Sequence, residues 1–486
     1  MTSFLPARRH VRAPVSPTVS PAFSHLDALA DAIPKPYWTD ARPWPEPRSA
    51  LTADTTCDLV IIGGGYTGLW AALQAKEADP SLDVVLIEAD TCGAAASGRN
   101  GGFCASSLTH GILNGVERFA DEMPELEAQG LANLDEIEKS IARYGIDCDF
   151  QRSGELHVAT EPWQVDELAR SARLAASLGH DVQLLSAEET RREVNSPTYL
   201  GALAMPRGVA MLDPARLVWG LREACLRHGV RIHEWTKALA VTEARHGIEV
   251  RTPYGRIGAA RGVLATNGFP PLLRRLKNYI VPVYDYVLVT EPLSDAQLAS
   301  IGWQGRQGIG DSANQFHYYR LTEDNRILWG GYDAIYYYGG PVRSDLTLRA
   351  DTYAVLADHF FETFPQLEGI RFTHRWGGVI DMCSRFCPFV GTAMGGRLGY
   401  ALGFTGLGVG ATRYAAGALV DRLYGRNTER SRSNLMNSKP LPLPPEPFRW
   451  LGIQLTRWSL SRADENAGQR NLWLRTLDKV GLGFDS

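Results

Sequence analysis

Residues 58–100 constrain this chain more than any other stretch: DLVIIGGGYTGLWAALQAKEADPSLDVVLIEADTCGAAASGRN. The apolar run Leu59-Val60-Ile61-Ile62 stops at Gly63-Gly64-Gly65-Tyr66-Thr67-Gly68. A helical pattern follows, with Leu69, Ala72 and Leu73 on one side, and a second apolar run, residues 84–87, ends at Glu88. Strand, glycine turn, helix, strand and acid in this order are what a dinucleotide requires. Gly63 permits the tight turn off the strand, Gly65 lets a pyrophosphate approach the backbone, and Gly68 lets helix and strand pack closely. The first helical turn, at Tyr66 and Thr67, offers free N–H groups and the positive end of the helix dipole to the phosphates. Glu88, followed by Ala89, stands about twenty residues past the last glycine, where a carboxylate accepts from ribose hydroxyls and repels a 2′-phosphate.

Such a site serves NAD or FAD, and the next segment, Ser97-Gly98-Arg99-Asn100-Gly101-Gly102, bears on the choice. With it the chain resembles the FAD-dependent oxidoreductases of the D-amino acid oxidase superfamily, which includes glycine and sarcosine oxidases. Within it, the chain looks like the gamma-glutamylputrescine oxidoreductase type. The resemblance rests on IIGGGYTGLWAAL, GAAASGRNGGF, DYVLVTEPL, RILWGGYDA, HRWGGVIDM and YALGFTGLGVG, in that order, between about residues 51 and 424.

The resemblance implies an α/β chain: a Rossmann-like FAD-binding domain interleaved with an α+β, antiparallel-sheet substrate domain. The expected divisions are a Pro-rich arm (1–55), FAD-binding segments (56–108, 205–275, 374–427), substrate segments (109–204, 276–373) and a linker with C-terminal tail (428–486). It implies that Ser97, Arg99, Asn100 and Gly101 border the cofactor and that Ala238 touches the adenine through its backbone. Ala265 and Gly378 flank the cofactor, and Gly406-Leu407-Gly408-Val409 turns backbone N–H groups to the flavin pyrimidine. The resembled sarcosine oxidases attach FAD to a cysteine near Gly378; here Val379 falls there and Cys383 is displaced. The dimethylglycine dehydrogenase type uses a histidine near Arg99-Asn100, and none is present. Non-covalent FAD is therefore expected. The lysine with which sarcosine oxidase activates oxygen is missing from Ile327-Leu328-Trp329-Gly330-Gly331. O2 as acceptor, giving H2O2, thus stands beside a protein or quinone acceptor, and beside a module that only binds FAD.

With 486 residues, 44% hydrophobic and 21% charged, the chain can bury two or more cores. A net charge of −4 gives no basic surface for nucleic acid. The seven scattered cysteines read as reduced thiols in a cytoplasmic protein. Cys383 and Cys387 form a lone C-x3-C pair, so no metal site is expected. Residues 1–21 are basic but lack an apolar signal core and read as a disordered arm, with a transit peptide left open. No apolar run is long enough to span a bilayer.

Along the chain, helices are expected near residues 24–32, 133–144, 187–194 and 348–364. Asp213-Pro214 starts another as N-cap and N1 and carries it to about residue 228. Strands are expected at 155–160 and 231–235, a hairpin at 239–242 and 248–252, and a buried strand at 262–268. Long strands at 279–292 and 326–333 are read as joined by a polar loop. A strand, a glycine turn and a helix follow in 400–424. Trp38 and Trp44 place the arm over the body, since they would otherwise expose apolar area. Residues 448–460, rich in Trp, Leu and Arg, read as a tail docked on the body or on a second subunit rather than in a membrane interface.

The family resemblance implies a flavin that takes a hydride at N5 from the carbon bearing an amine nitrogen, leaving an imine. The richest polar cluster is Phe316-His317-Tyr318-Tyr319-Arg320, with Tyr332-Asp333, Tyr336-Tyr337-Tyr338 and Tyr284-Asp285-Tyr286. Aromatic faces there could cradle an amine, Asp285 or Asp333 pair with it, and Arg320 grip a carboxylate. His317, Tyr318, Tyr332 and Trp376, which precedes Gly377-Gly378, complete the candidate catalytic set.

Overall fold

A computed structural model describes residues 25–483. The apolar run of the opening motif becomes β1 (Thr55–Ile62), followed by α1 (Tyr66–Ala78) and β2 (Val84–Ile87). β1 lies in mid-sheet, parallel to β2 on one side and to the strand Arg256–Leu264 on the other. The sheet order is Phe389–Ala393, Leu398–Leu402, Arg256–Leu264, β1, β2, Arg231–His233. β2 and the last four residues of β1 are buried on both faces, which is why they read as continuous apolar runs. Leu59 and Ile61 pack under α1 and α2 (Pro214–Arg227). Val60 and Ile62 face the cluster filled by the hairpin Ala240–Ala244/Gly247–Arg251. Asp213 caps α2 through its carboxylate and Pro214 occupies N1, as the sequence indicates.

The second sheet carries eight strands. Four matter for the site: β3 (Val281–Thr290), β4 (His317–Leu321), β5 (Ile327–Gly331) and β6 (Phe372–Met382). Their order is β6-β3-β5-β4, antiparallel throughout. The sheet continues through Gly308–Asp311, Glu155–Ala159, Gly201–Met205 and Gln183–Ser186, with one parallel pair, between Gly308–Asp311 and Glu155–Ala159. One face packs on the helix Ala350–Thr363; the other looks toward the first sheet. β6 runs across the division expected at residue 374 and stays beside β3 to Met382.

Two sequence expectations need correction. The loop expected between residues 292 and 326 holds the helix Asp295–Ile301, the strand Gly308–Asp311 and β4. Ser294 and Gln297 close a reciprocal capping box that starts that helix, a signal the reading missed. The helix expected at 24–32 is only the single turn Asp27–Leu29, and a four-residue helix, Tyr37–Asp40, follows. Pro34 bars a helix from running on past residue 32, and Pro36 is the N-cap of the second turn. Residues 1–24, expected to be disordered at their start, lie outside the described residues.

The chain ends with a helix α3 (Gly408–Leu423) packed on α1 and, after a proline-rich linker, α4 (Phe448–Glu465). Trp450 and Ile453 of α4 dock on Val281, Val283 and Tyr336. Arg457 pairs with Asp333 at 2.7 Å, and Asp464 accepts the N–H groups of Asn314 and Gln315. No helix of the described residues is long and apolar enough to cross a membrane.

Candidate active site

Where β1 ends, Gly63 adopts φ +119°, and a Cβ there would stand 2.3 Å from the carbonyl oxygen of Ala265. A Cβ on Gly68 would stand 1.9 Å from the Gly63 carbonyl, so only glycine lets α1 sit this close to the strand. Gly65 precedes α1, and the N–H of Tyr66 donates to Ser97 Oγ at 2.9 Å. Ser97 thereby ties the SGRNGG segment to the helix start. The side chains of Tyr66 and Thr67 are buried, and Tyr66 donates its hydroxyl proton to the Pro214 carbonyl; what these residues present to the cleft is backbone. Glu88 accepts the N–H groups of Gly64 (2.7 Å) and Asp90 (3.0 Å). Burial raises its pKa and these N–H groups oppose the rise. Ala89 beside it is exposed, and Ala238 is half-buried on the stretch that enters the hairpin.

Asn100 organises its own turn. Its amide donates to the carbonyls of Ala96 and Ser97 and accepts from Gly102 N–H. Arg99 donates from Nε to the Ala94 carbonyl, and burial pushes its pKa down. Across the cleft, Gly406 has φ +93° and open space where a Cβ would be. Leu407 and Gly408 are half-buried at the start of α3, whereas Val409 turns its side chain into the core. A residue the sequence reading missed shapes this turn: Asp381, buried at the end of β6, accepts the N–H groups of Gly403 (2.6 Å) and Phe404 (3.2 Å). Burial pushes its pKa up to about 7. His110, also missed, lies 3.0 Å from the Thr405 carbonyl through Nε2. The D of HRWGGVIDM was in view, but nothing local marks it as a turn-holder; His110 carries no sequence signal.

Strand alternation sorts the predicted polar cluster onto two faces. Toward the first sheet stand Asp285, Val287, Tyr318, Arg320, Trp376 and Gly378. Toward the helix Ala350–Thr363 stand Tyr284, Tyr286, His317, Tyr319 and Trp329. On the inner face Tyr318 Oη donates to Asp285 Oδ2 at 2.5 Å. The Tyr318 ring is slotted between two glycines: a Cβ on either Gly101 or Gly330 would come within 2.7 Å of it. Burial pushes the Asp285 carboxyl up to about 6 and raises the Tyr318 phenol well above its usual value. Both side chains keep part of their surface accessible. Gly378 pairs with Asp285 across the strands, and the space beside its Cα is open. Trp376 donates Nε1–H to the Arg99 carbonyl at 2.9 Å. Arg320 is buried, its Nη1 on the Leu212 (2.7 Å) and Gly102 (3.3 Å) carbonyls and its Nη2 3.8 Å from Asp149 Oδ2, so its guanidinium is taken up within the protein.

His317 and Tyr332 are not brought to that group. His317 Nδ1 lies 2.6 Å from Asp311 Oδ2 and Nε2 lies 3.0 Å from His359 Nδ1. The His317 ring stacks on Trp329 and Tyr332. Asp333 is held by Arg457 and Thr352. Among the described residues no cluster of side chains could hold a metal ion.

The two sheets thus face each other across a cleft with a glycine cradle and an acid at one end, an open glycine turn at the other, and a buried carboxyl–phenol pair on the opposing sheet. The family model for FAD dependent oxidoreductases matches residues 58–422. The chain is 33% identical to gamma-glutamylputrescine oxidoreductase of Escherichia coli over 395 residues, 79% of this chain and 87% of that protein. It is 28% identical to the probable oxidoreductase OrdL of Haemophilus influenzae over 397 residues, 80% and 88% of the two chains. The fold matches glycine oxidase from Geobacillus kaustophilus with a TM-score of 0.63 at 18% identity, covering 79% of this chain and 99% of that one. L-proline dehydrogenase from P. horikoshii matches at a TM-score of 0.64 and 18% identity, over 77% and 95%. The chain belongs to the D-amino acid oxidase type of FAD-dependent oxidoreductases. The cradle fits the cofactor: the positions where a Cβ would strike backbone or fill the turn are glycines, and each Glu88 oxygen that accepts a backbone N–H retains a lone pair for a ribose hydroxyl.

Proposed function

We propose that this protein oxidises the C–N bond of a small amine or amino acid to an imine, which water hydrolyses to a carbonyl compound. The single observation that carries this reading is the Asp285–Tyr318 pair on the face opposite the glycine cradle. Gly63, Gly65, Gly68, Glu88, Ser97 and the Gly406–Gly408 turn hold the cofactor without a covalent link. Bound FAD supplies the acceptor for the electron pair that leaves the substrate carbon with its hydrogen, as a hydride to N5. Asp285, ionised above about pH 6, accepts from Tyr318 and uses its remaining lone pairs to orient the substrate nitrogen and take its ammonium proton. Trp376 walls the site, and Arg320 fixes Gly102 rather than gripping a carboxylate. Cys383 donates Sγ–H to the Cys387 carbonyl within the core, away from any linkage role.

Reoxidation by O2, giving H2O2, is the first reading. A protein or quinone acceptor is favoured by one feature: β5 turns Leu328 and Gly330, not an ammonium, toward the cleft. Anaerobic bleaching of the flavin by a panel of amines and amino acids tests the reaction; admitting air separates oxidase from dehydrogenase by the speed of recovery. A loaded flavin that no amine bleaches would leave only FAD binding. Acid precipitation should release all flavin into the supernatant.

The seven cysteines are all free thiols, which supports a cytoplasmic location. The outward stripe of α4, Phe448, Leu451, Leu455 and Trp458, is 67%, 52%, 40% and 53% exposed. That is about 400 Å² of apolar surface, roughly half of what one partner brings to a standard interface. Arg449 is turned inward and Arg457 and Arg462 are paired with acids, so the helix offers little to an anionic lipid surface. The occupant that fits is the same stripe on a second copy of this chain.

A further inference from the structure

The arm that precedes residue 58 lies outside the segment matched by the family model. We infer that this arm is a working part of the FAD cleft, and that Trp38 is a positioning residue for the SGRNGG loop. The inference rests on the family's FAD dependence.

The arm is fastened at three places. At its start, Ala28, Leu29 and Ala32 enter the core beneath the helix Ala350–Thr363. There Ile33 N–H donates to the Thr373 carbonyl and Arg375 N–H donates to the Ile33 carbonyl, so the arm adds to β6. In the middle, Trp38 is buried and donates Nε1–H to the Asn100 carbonyl at 2.8 Å. Its indole also lies 5.6 Å from the Arg320 guanidinium. At the end, Arg48 N–H donates to Glu234 Oε2 (2.6 Å), the Glu46 carbonyl accepts from Arg222, and Leu51 N–H donates to Thr236 Oγ1 (2.9 Å). Thr236 N–H in turn donates to the Glu88 carbonyl at 2.7 Å.

The carbonyls of Arg99, Asn100 and Gly102 are therefore each held from outside the loop, by Trp376, Trp38 and Arg320. The loop they anchor carries Ser97, whose Oγ accepts from the Tyr66 N–H at the N-terminus of α1. Removing the indole N–H leaves a buried carbonyl without its donor, a cost carried by the loop. The arm bridges the substrate sheet, the loop and the strand that ends in Glu88, and holds the cleft's two walls in register.

Trp38→Phe keeps a ring in the packed site and removes the donor. Trp44→Phe is the control: Trp44 meets the Trp219 ring at 5.2 Å, tilted by 57°, and is 40% exposed. FAD affinity is measured by titrating the apoprotein and following flavin fluorescence, with the visible circular dichroism of the bound flavin and the melting temperature of the apoprotein alongside. The expected result is about tenfold weaker FAD binding and an altered flavin dichroism for Trp38→Phe, with apoprotein melting like that of Trp44→Phe. Affinity within twofold of the parent and an unchanged dichroism would overturn the inference. A second measurement uses the parent protein. Among the described residues of the arm, Lys35 and Arg42 precede prolines, so the exposed tryptic bond there follows Arg48. FAD should slow cleavage there at least tenfold. Equal rates with and without FAD would show that the arm does not sense the cofactor, whatever becomes of the fold reading.

Discussion

The two faces of the second sheet carry similar chemistry and use it differently. Inside, Asp285 meets Tyr318 beside open space at Gly378. Outside, Asp311 meets His317, whose ring stacks on Trp329 and Tyr332 and meets His359 edge-on. The outer pair lies beneath a helix and aromatic rings, and its polar atoms are taken up by each other, by His359 and by the Ala313 N–H. The inner pair is partly accessible at both members and faces the open space at Gly378, and burial pushes its carboxyl up to about 6. A buried acid with a perturbed pKa that keeps an open side is a candidate for chemistry; one closed by its neighbours is structure.

The largest effect should come from the inner pair. Asp285→Asn should lower kcat/KM by about 10²–10³-fold, and Tyr318→Phe by about tenfold, with FAD content intact. His317→Asn on the outer face should leave kcat/KM within a factor of three while lowering stability by about 1–3 kcal/mol. Steady-state kinetics beside denaturant unfolding separates the two, and equal kinetic losses on both faces would break the comparison.

Glycines sharpen it next. Gly377 faces the helix side, where a Cβ would meet the Thr347 carbonyl and the Tyr286 ring at 3.0 Å, whereas Gly378 opens inward with nothing near. Gly377→Ala should cost about 1–3 kcal/mol in unfolding experiments. Gly378→Leu should fold normally and raise KM about tenfold or more if the open space there receives the substrate, as the proposed function has it.

pH gives a third test. Asp285 has a folded pKa near 6, above the usual 3.8. Below about pH 4 both folded and unfolded states hold the proton; as pH rises toward 6 the unfolded state loses it first, so stability falls. The total is about 3 kcal/mol, and it should vanish in Asp285→Asn. The same ionisation should make kcat/KM rise with pH through about 6 in the parent enzyme, a limb that Asp285→Asn removes.

The smallest effect should be at α4. Leu455→Glu with Trp458→Ser should convert a dimer to a monomer in sedimentation while leaving flavin content and the inner-face kinetics unchanged. A parent protein that is already monomeric would overturn the second copy as occupant of that stripe, and one that pellets with vesicles would put a lipid surface in its place.

Much of this was legible locally. The cradle from Leu59 to Gly68, the acid at Glu88, the capped start at Asp213-Pro214 and the alternation of His317-Tyr318 follow from geometry within a few residues. The run of aromatics at 316–320 advertised a polar cluster but could not say which members would meet, because alternation gives two faces and not their destinations. The missed capping box at Ser294 and the missed turn-holder Asp381 differ in kind: the first was a local signal overlooked, the second has its partners twenty-two and twenty-three residues away.

By itself, then, the sequence determined a dinucleotide cradle and the family around it, because backbone sterics and helix-terminus electrostatics act over a few residues. Only the tertiary structure decided that Asp285 meets Tyr318, that Arg320 is spent on the Gly102 and Leu212 carbonyls, and that the arm reaches the SGRNGG loop through Trp38. Those pairings span 33 to 218 residues of chain, and they are set by strand register and by which face each sheet turns inward, quantities that no local pattern contains.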